Sequence, residues 1–428
     1  MYFIIETIEQ LEMLEHSQEC FLQIIPNNYN FHPSLTTACA YYYRTNDKGY
    51  IICVNHSEAF SIPENIVKDF IRKHNKVYVL DKKRHSYYID TDNLIDLLFF
   101  DNKELEIKTK IQSEYDRKYY DSEELNSMIP IVKHYEHLEH VYSEYHAIIK
   151  KARPIKNLDR LIEAYSYVEK NPIKVKYEDF VSINNISNPK ISIKEDKVYT
   201  RYNLYNQTGR PTNTFNGVNF LAIPKDEPHR SCIIPDNDFF VEFDFDAYHL
   251  RIIANEVKYE FPNSSVHEYL GKQYFKKDTL TEEEYKQSKA ISFKNLYGSV
   301  PEDHQHIPFF NRMLLLANFL SESCAPGESL ELPTGIKLKR EEDMNPSKLL
   351  NYYVQNLETK YNVDKILKIK DILQNKKTRL VLITYDAFLF DYSVEDGKEL
   401  LVEIKKILEQ NNTPTKHKHG KNYFLQNG

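Results

Sequence analysis

The stretch Phe239-Phe240-Val241-Glu242-Phe243-Asp244-Phe245-Asp246 decides how this chain is read. Apolar residues alternate with acids at the period of a strand, and Tyr248-His249-Leu250-Arg251-Ile252-Ile253 follows at helical spacing. Asp244 and Asp246 stand at i and i+2, so they share one face at the strand end. Carboxylates there suit a hard divalent cation, which wants oxygen ligands in an open site. The plainer alternative is a solvated strand terminus. A second stretch, RLVLITYD (379–386) followed by AFLFDY (387–392), is an apolar hairpin with Asp386 at its middle. A charge in that position needs a metal, a cation or solvent at a turn. If the two strands are neighbours, Asp244 and Asp386 can bind a pair of Mg²⁺ ions about 3.5–4 Å apart, the clamp used for in-line displacements.

A third segment, Glu284–Gly298, reads as a helix. Lys289, Phe293 and Tyr297 fall at i, i+4 and i+8, so one face carries a cation, a flat ring and a phenol. That face suits a nucleoside triphosphate, with the ammonium on phosphates and the rings against the base. The alternative is an amphipathic helix with its aromatics buried and Lys289 outside.

The rest of the 428 residues frame these segments. Hydrophobic residues make up 41% and charged residues 28%, as in ordinary globular chains, and no stretch is apolar enough for a membrane helix. MYFIIETIEQLEMLE at the N-terminus has acids among its apolar residues and is not read as a signal peptide. Cys20, Cys39, Cys53, Cys232 and Cys324 are scattered without CxxC spacing, which points to a reducing cytosol and no zinc site. The net charge of −7 counts weakly against nucleic acid, because counterion release depends on where the cations sit. Abundant Lys, Asn, Ile and Tyr fit an AT-rich coding sequence.

Along the chain, 20–25, 38–44, 50–56 and 77–80 read as strands, with Asn46-Asp47-Lys48-Gly49 as a turn and a helix from Pro63 to Lys73. Residues 121–170 read as an antiparallel helical pair broken at Pro154, and KVKYEDFVSI, PKISIKE and KVYTRYN between 174 and 203 as strands. Helices return over 246–325, a hairpin turns at Pro333-Thr334-Gly335, a long helix spans 346–374, and a last helix (394–409) leads to the basic tail TKHKHGKNYF. In that tail Lys416-His417-Lys418-His419 suits phosphate contact better than a metal.

Taken in order, these motifs resemble the family A DNA polymerases of the bacterial polymerase I and phage replicase type. Thr208-Gly209-Arg210 with Ile223-Pro224 matches the TGR…NIP segment, and Asp244 with Leu250-Arg251 matches motif A. Lys289, Phe293, Tyr297 and Gly298 match the motif B helix, preceded by Val266-His267 for its IH pair, and Asp386 matches the motif C aspartate. Asn351 and Gln355 stand where the family has its N…Q pair, and Gly420, Asn422 and Tyr423 loosely match GxNY. The resemblance covers about 205–392.

It implies an α/β and α+β multidomain fold: a right-hand polymerase of palm, fingers and thumb behind a ribonuclease-H-like, exonuclease-type domain. The implied division is 1–120 exonuclease-like, 121–200 thumb-like arm and 201–428 palm and fingers, with the fingers at about 258–326. The implied activity is template-directed DNA synthesis on primer–template DNA with dNTPs. Asp244, Asp386 and the Phe245 carbonyl would hold two Mg²⁺ ions, for which Mn²⁺ can substitute. Lys289 would contact the triphosphate, Phe293 would stack beside it and Tyr297 would sit at the templating position. Arg210, Asn351, Gln355 and Arg251 would contact DNA.

The departures are specific. His249 stands where the family has the glutamate that screens the sugar 2′-position, which raises a ribonucleotide-accepting, primer-synthesising enzyme as a rival. Tyr285 replaces the motif B arginine, with Lys286 as its substitute, and Tyr385-Asp386-Ala387 lacks the third acid of HDE, with Asp246 as compensation. The segment between motifs B and C is short, implying trimmed fingers. These losses also raise a catalytically silent replication factor. In the exonuclease-like region Leu22-Gln23-Ile24-Ile25-Pro26-Asn27 lacks the metal-binding DxE, and Asp90, Asp92, Asp96 and Asp101 read as solvated charges, so proofreading is not expected. The Lys150-Lys151-Arg153 run suits duplex phosphates or a solvated helix face. A phage or mobile-element replication enzyme, working in a bacterial cytosol with replisome proteins, fits the whole.

Overall fold

The computed structural model describes residues 3–14, 18–45, 48–98, 125–150, 157–213, 217–262 and 265–427. Asp101, Lys151, Arg153, Pro154 and the Asn46-Asp47 half of the expected turn lie outside them. The chain divides into two compact units, one of residues 1–156, 186–201 and 214–218, the other of 157–185, 202–213 and 219–428.

The first unit is built on a six-stranded sheet of order β1-β4-β3-β2-β5-β6. Its strands are β1 (Ile4–Ile5), β2 (Glu19–Pro26), β3 (Ala38–Arg44), β4 (Gly49–Cys53), β5 (Lys76–Val79) and β6 (Leu94–Asp96). β2, β3 and β4 form an antiparallel meander, and β5 and β6 add in parallel beside β2. Helix α1 (Glu64–Arg72) buries Val67, Phe70 and Ile71 at helical spacing in the same core as Leu22, Ile24 and Tyr41. Helix α2 (Ile131–Ile149) packs near β4; its Glu139 accepts from the Tyr42 hydroxyl at 2.7 Å, and its Tyr142 lies 5.5 Å from the Phe21 ring. Asp90 and Asp92 are exposed, but Asp96 is buried and accepts the backbone N–H groups of Lys82 and Leu98 at 2.7 and 2.8 Å. It caps local backbone and is not a solvated charge.

The second unit opens with α3 (Leu158–Glu169), which packs on α9 and β11, two later elements of this unit whose ranges are Pro346–Ile372 and Arg379–Thr384. A short strand, β7 (Ile173–Val175), follows. Only the Lys174-Val175 start of KVKYEDFVSI is strand; Tyr177–Ile183 is a helix, α4, with Glu178 and Asp179 in its first turn, where the helix dipole favours acids. The centre is a five-stranded sheet containing β8 (Phe239–Phe245), followed by helices α5 (Tyr248–Glu256), α6 (Val266–Phe275), α7 (Glu282–Tyr297) and α8 (Pro308–Glu322). Next come the hairpin β9 (Ser329–Glu331) and β10 (Lys337–Lys339), the long helix α9 (Pro346–Ile372), and the hairpin β11 (Arg379–Thr384) and β12 (Ala387–Tyr392). α10 (Lys398–Leu408), β13 (Thr415–Gly420) and β14 (Gln426–Asn427) finish the chain, giving the order β11-β12-β8-β13-β14. Among the described residues no helix is long and apolar enough to cross a membrane, and all five cysteines are buried and unbonded.

Helix α9 explains how the pieces are tied together. Asn345 caps it, accepting from the Lys348 N–H at 2.8 Å, and Pro346 occupies its first turn. Besides Leu350, Val354 and Ile366 it buries Asn356, Glu358, Thr359, Asn362 and Lys365. Asn356 donates to the Thr208 carbonyl and accepts from the Thr334 N–H, both at 2.9 Å, and the Thr359 hydroxyl donates to the Gly209 carbonyl at 3.3 Å. These bonds fix the Thr208-Gly209-Arg210 turn on the helix. Gly209 has φ +64, and a β-carbon there would fall 2.7 Å from both Asn356 Nδ2 and Ile336 Cδ1. Gly209→Ala therefore lowers the stability of this unit by about 1–3 kcal/mol, from strained backbone and overpacking together, read as a drop in urea midpoint.

Candidate active site

β8 is the central strand of its sheet, which is why it is so apolar. Phe243 meets Phe390 edge-on at 5.9 Å, and Phe245 meets Phe388 edge-on and stacks on Tyr248 at 4.1 Å. On the other face, Asp244 stands opposite Ala387 of β12 and Lys416 of β13. The Phe245 N–H donates to the Asp386 carbonyl at 2.9 Å, so Asp386, at the turn of the adjoining hairpin, lies level with the end of β8 that carries Asp244. Asp386 reaches that level through the two-residue turn Tyr385-Asp386, closed by Thr384 pairing with Ala387. Tyr385 has φ +60, a left-handed conformation that costs a non-glycine residue about 1–3 kcal/mol. Three contacts hold it there. Asn362 of α9 donates to its carbonyl at 3.0 Å, the Tyr248 hydroxyl donates to Asn362 at 2.7 Å, and the Arg210 guanidinium sits 3.7 Å from its ring centroid.

Both carboxylates touch solvent, yet the mass of protein around them dominates their chemistry. Burial, then the charges of Asp244 and Glu358, push Asp386 up to about 6. Burial also raises Asp244, against the pull of Lys418, Lys225 and Lys416. Among the described residues no basic side chain forms an ion pair with either aspartate, and no three His, Cys, Asp or Glu side chains cluster as a metal cage. Two repelling carboxylates with no ion pair of their own among the described residues fit a hard divalent cation of the Mg²⁺ type, which keeps several waters and takes phosphate oxygens as further ligands. Asp246, expected as the compensating acid, is otherwise engaged: Lys416 holds it at 2.7 Å and Arg251 at 3.6 Å. Arg251, expected on DNA, is buried and donates to the Asp246 carbonyl at 3.1 Å, so it braces the strand–helix corner.

α7 begins with a capping box of Thr281 and Glu284 and exposes the expected face. Phe293 and Tyr297 are each 43% exposed and stack on each other at 6.1 Å with planes 8° apart. The alternative with buried aromatics does not hold; the buried side of this helix is Ser288, Ser292, Asn295 and Leu296. Lys289 is half-buried, with its ammonium 4.8 Å from the Tyr285 ring centroid. Lys286 points to solvent and pairs with Glu282 at 2.7 Å. His267 lies beside Phe293 at 5.5 Å, and burial, with Lys289, Lys416 and Arg251 around it, lowers it to about 4 despite Asp246. It is a neutral ring among cationic neighbours.

His249 is buried and bonded at both ring nitrogens. Nε2 contacts the Glu358 carboxylate, and Nδ1 lies 2.7 Å from the Tyr297 hydroxyl. Glu358 also takes Arg210, whose Nη2 lies 2.8 Å from Oε2 and 3.1 Å from Oε1. Burial alone would raise the Glu358 carboxyl, but the charges and hydrogen bonds of His249 and Arg210 outweigh it and hold it below the usual range. A chain Tyr297–His249–Glu358–Arg210 thus ends over Tyr385, next to Asp386. Asn351 donates to the Tyr297 carbonyl at 2.8 Å, and Gln355 is half-buried one turn further on. Sequence reasoning missed Glu358, although Asn351, Gln355 and Glu358 stand at i, i+4 and i+7 on one helical face. It missed Asn362 as well, whose role depends on a turn conformation that no spacing announces. The Lys416–Gly420 tail is a strand, with Lys416, His417 and His419 exposed.

The raised Asp386 gives a test that needs no catalysis. Its charge is disfavoured by the fold, so its contribution to stability is fully present below about pH 4 and is lost as pH rises through about 6. Asp386→Asn removes that loss. In thermal melts without divalent cations, the variant gains on the wild type between about pH 4 and 6 and the difference levels off above that, and Mg²⁺ raises the melting temperature of the wild type only.

No protein-family model matches this sequence, and no curated protein does. The likeness is to solved structures. The polymerase domain of Pol1 from M. smegmatis, in complex with DNA primer-template and dNTP, is similar with a TM-score of 0.65, covering 95% of this chain and 96% of that one at 11% identity. At that identity the comparison establishes the fold: this chain has the mixed α/β, multidomain fold of a polymerase domain.

Proposed function

We propose that this chain is a template-directed DNA polymerase that adds deoxynucleotides to a primer 3′-hydroxyl. The observation that carries this is the union of Asp244, at the end of β8, with Asp386, in the turn of the adjoining hairpin, linked through Arg210, Glu358 and His249 to the helix that exposes Phe293 and Tyr297. The solved neighbour with primer-template and dNTP supports it. In this reading residues 201–428 are palm and fingers, with fingers at about 258–326, 121–200 supplies the thumb, and 1–120 is an exonuclease-like domain without proofreading. Its AT-rich character suits a phage or mobile element replicating in a bacterial cytosol.

The chemistry is formation of a bond between the primer 3′-oxygen and the α-phosphorus, with cleavage of the bond to the departing pyrophosphate. Asp244 and Asp386, with the Phe245 carbonyl, would hold two Mg²⁺ ions, and these supply charge neutralisation at the attacking and leaving oxygens. Lys289 binds the triphosphate, while His267, neutral beside it, leaves that phosphate pocket's charge to the lysines. Phe293 and Tyr297 offer the base a stacked aromatic platform. Arg210, partly exposed at 23%, faces the primer–template side, and the barrier falls through positioning and electrostatics.

His249 favours a second reading in which ribonucleotides are also accepted, since an imidazole fixed by Glu358 and Tyr297 replaces a free carboxylate beside the sugar. Primer extension with Mg²⁺ on a primed DNA template, comparing dNTPs with rNTPs, separates the two. Extension with dNTPs is expected, with Asp244→Ala and Asp386→Ala each losing about 10³-fold or more while still binding primer–template. Comparable extension with rNTPs would move the chain to primer synthesis. No extension by the wild type, with tight DNA binding, would make it a silent replication factor.

A further inference from the structure

Glu358 is a fully buried carboxylate that neither the carboxylate pair nor the aromatic platform uses directly. Two groups divide it between them, the Arg210 guanidinium and His249 Nε2. An ionised carboxylate only accepts, so His249 must carry its proton on Nε2. Nδ1 of the same ring lies 2.7 Å from the Tyr297 hydroxyl, so His249 bridges Glu358 and Tyr297. Tyr297 is thereby held through the imidazole to the buried carboxylate. At the other end, Arg210 stacks on Tyr385, and its side chain remains 23% exposed, so a ligand can reach the guanidinium. Any ligand that draws the guanidinium away leaves Glu358 short of a cation. A buried carboxylate cannot stay unpaired cheaply, so its hold on His249 must tighten.

We propose that Glu358 is a positioning residue that couples the primer-terminus side of the site, through Arg210, to the incoming-nucleotide side, through His249 and Tyr297. The inference rests on the polymerase reading and deepens it. A primer end that engages Arg210 tightens the grip on Tyr297, and a nucleotide that stacks on Tyr297 makes Arg210 easier to release. Coupling of this kind is reciprocal, and its usual size begins at about fivefold. A poorly seated primer end, which leaves Arg210 on Glu358, is then met by a looser Tyr297 and slower insertion.

The experiment is a double-mutant cycle in single-nucleotide insertion. Arg210→Ala, Tyr297→Phe and the double variant are compared with the full-length wild type, with kcat and KM for dNTP separated. The cycle is then repeated in a Glu358→Gln background, which keeps volume and hydrogen bonding but loses the charge. The expected result is non-additivity of about fivefold or more in kcat/KM with Glu358 present, falling to within about twofold of additivity once the carboxylate is replaced by the amide. Additive effects in the wild-type background, or the same non-additivity after Glu358→Gln, would overturn the coupling. If Glu358→Gln fails to fold, by circular dichroism, His249→Gln breaks the same chain and must abolish the non-additivity instead. A wild type that inserts no nucleotide at all would sink the polymerase reading itself, an outcome told apart by the first control.

Discussion

A long helix that turns a polar stripe inward is the constraint on which the second unit depends. α9 buries Asn356, Glu358, Thr359, Asn362 and Lys365, and each buried polar group must find a partner or forfeit its hydration. The partners it finds are the working parts of the molecule. Asn356 and Thr359 take the Thr208-Gly209 turn, Glu358 takes Arg210 and His249, and Asn362 takes the carbonyl of the strained Tyr385. Lys365 donates to the Gln410 carbonyl and the Thr413 hydroxyl, with its ammonium 5.3 Å from the Phe245 ring centroid, and burial lowers it to about 8. An all-apolar α9 would pack as well, but it would not specify where those loops end.

The same helix explains how two like charges persist at one sheet end. Repulsion between Asp244 and Asp386 and the left-handed Tyr385 both destabilise the unit. The aromatic packing of Phe243, Phe245, Phe388 and Phe390, and the hydrogen bonds of Asn362, oppose them. Strain and repulsion concentrated at one point are common where a ligand completes the charge balance.

Much of this was legible in the sequence, because strong periodicity survives folding. β8, the β11–β12 hairpin, α7 and α9 fall close to where spacing puts them, and the exposed Lys289–Phe293–Tyr297 face follows from 3.6 residues per turn. What failed did so for local reasons. Tyr177–Ile183 is helical: alternation holds only up to Tyr177, and from there apolar residues stand at 177, 180 and 181, the spacing of a helix, with two acids in the first turn. Asp96 looked solvated, yet its oxygens serve two backbone N–H groups. Asp246 and Arg251 looked functional singly and are each other's neighbours. Glu358 stayed hidden because a carboxylate on a helix normally faces water, and its partners at 210 and 249 are remote in sequence.

The strand order of the second sheet carries a kinetic consequence. β8 pairs with no strand adjacent in sequence; its neighbours, β12 and β13, are made only after helices α5 to α9 and a hairpin have emerged. Pairing of such distant segments must close long loops before any ladder bond is gained, so this sheet forms late and slowly. Until then FFVEF (239–243) and LVLI (380–383) are apolar segments with open edges, the points at which a nascent chain of this kind is prone to self-associate. Slow synthesis at low temperature, which gives the late strands time to find β8, is the condition under which this architecture assembles cleanly.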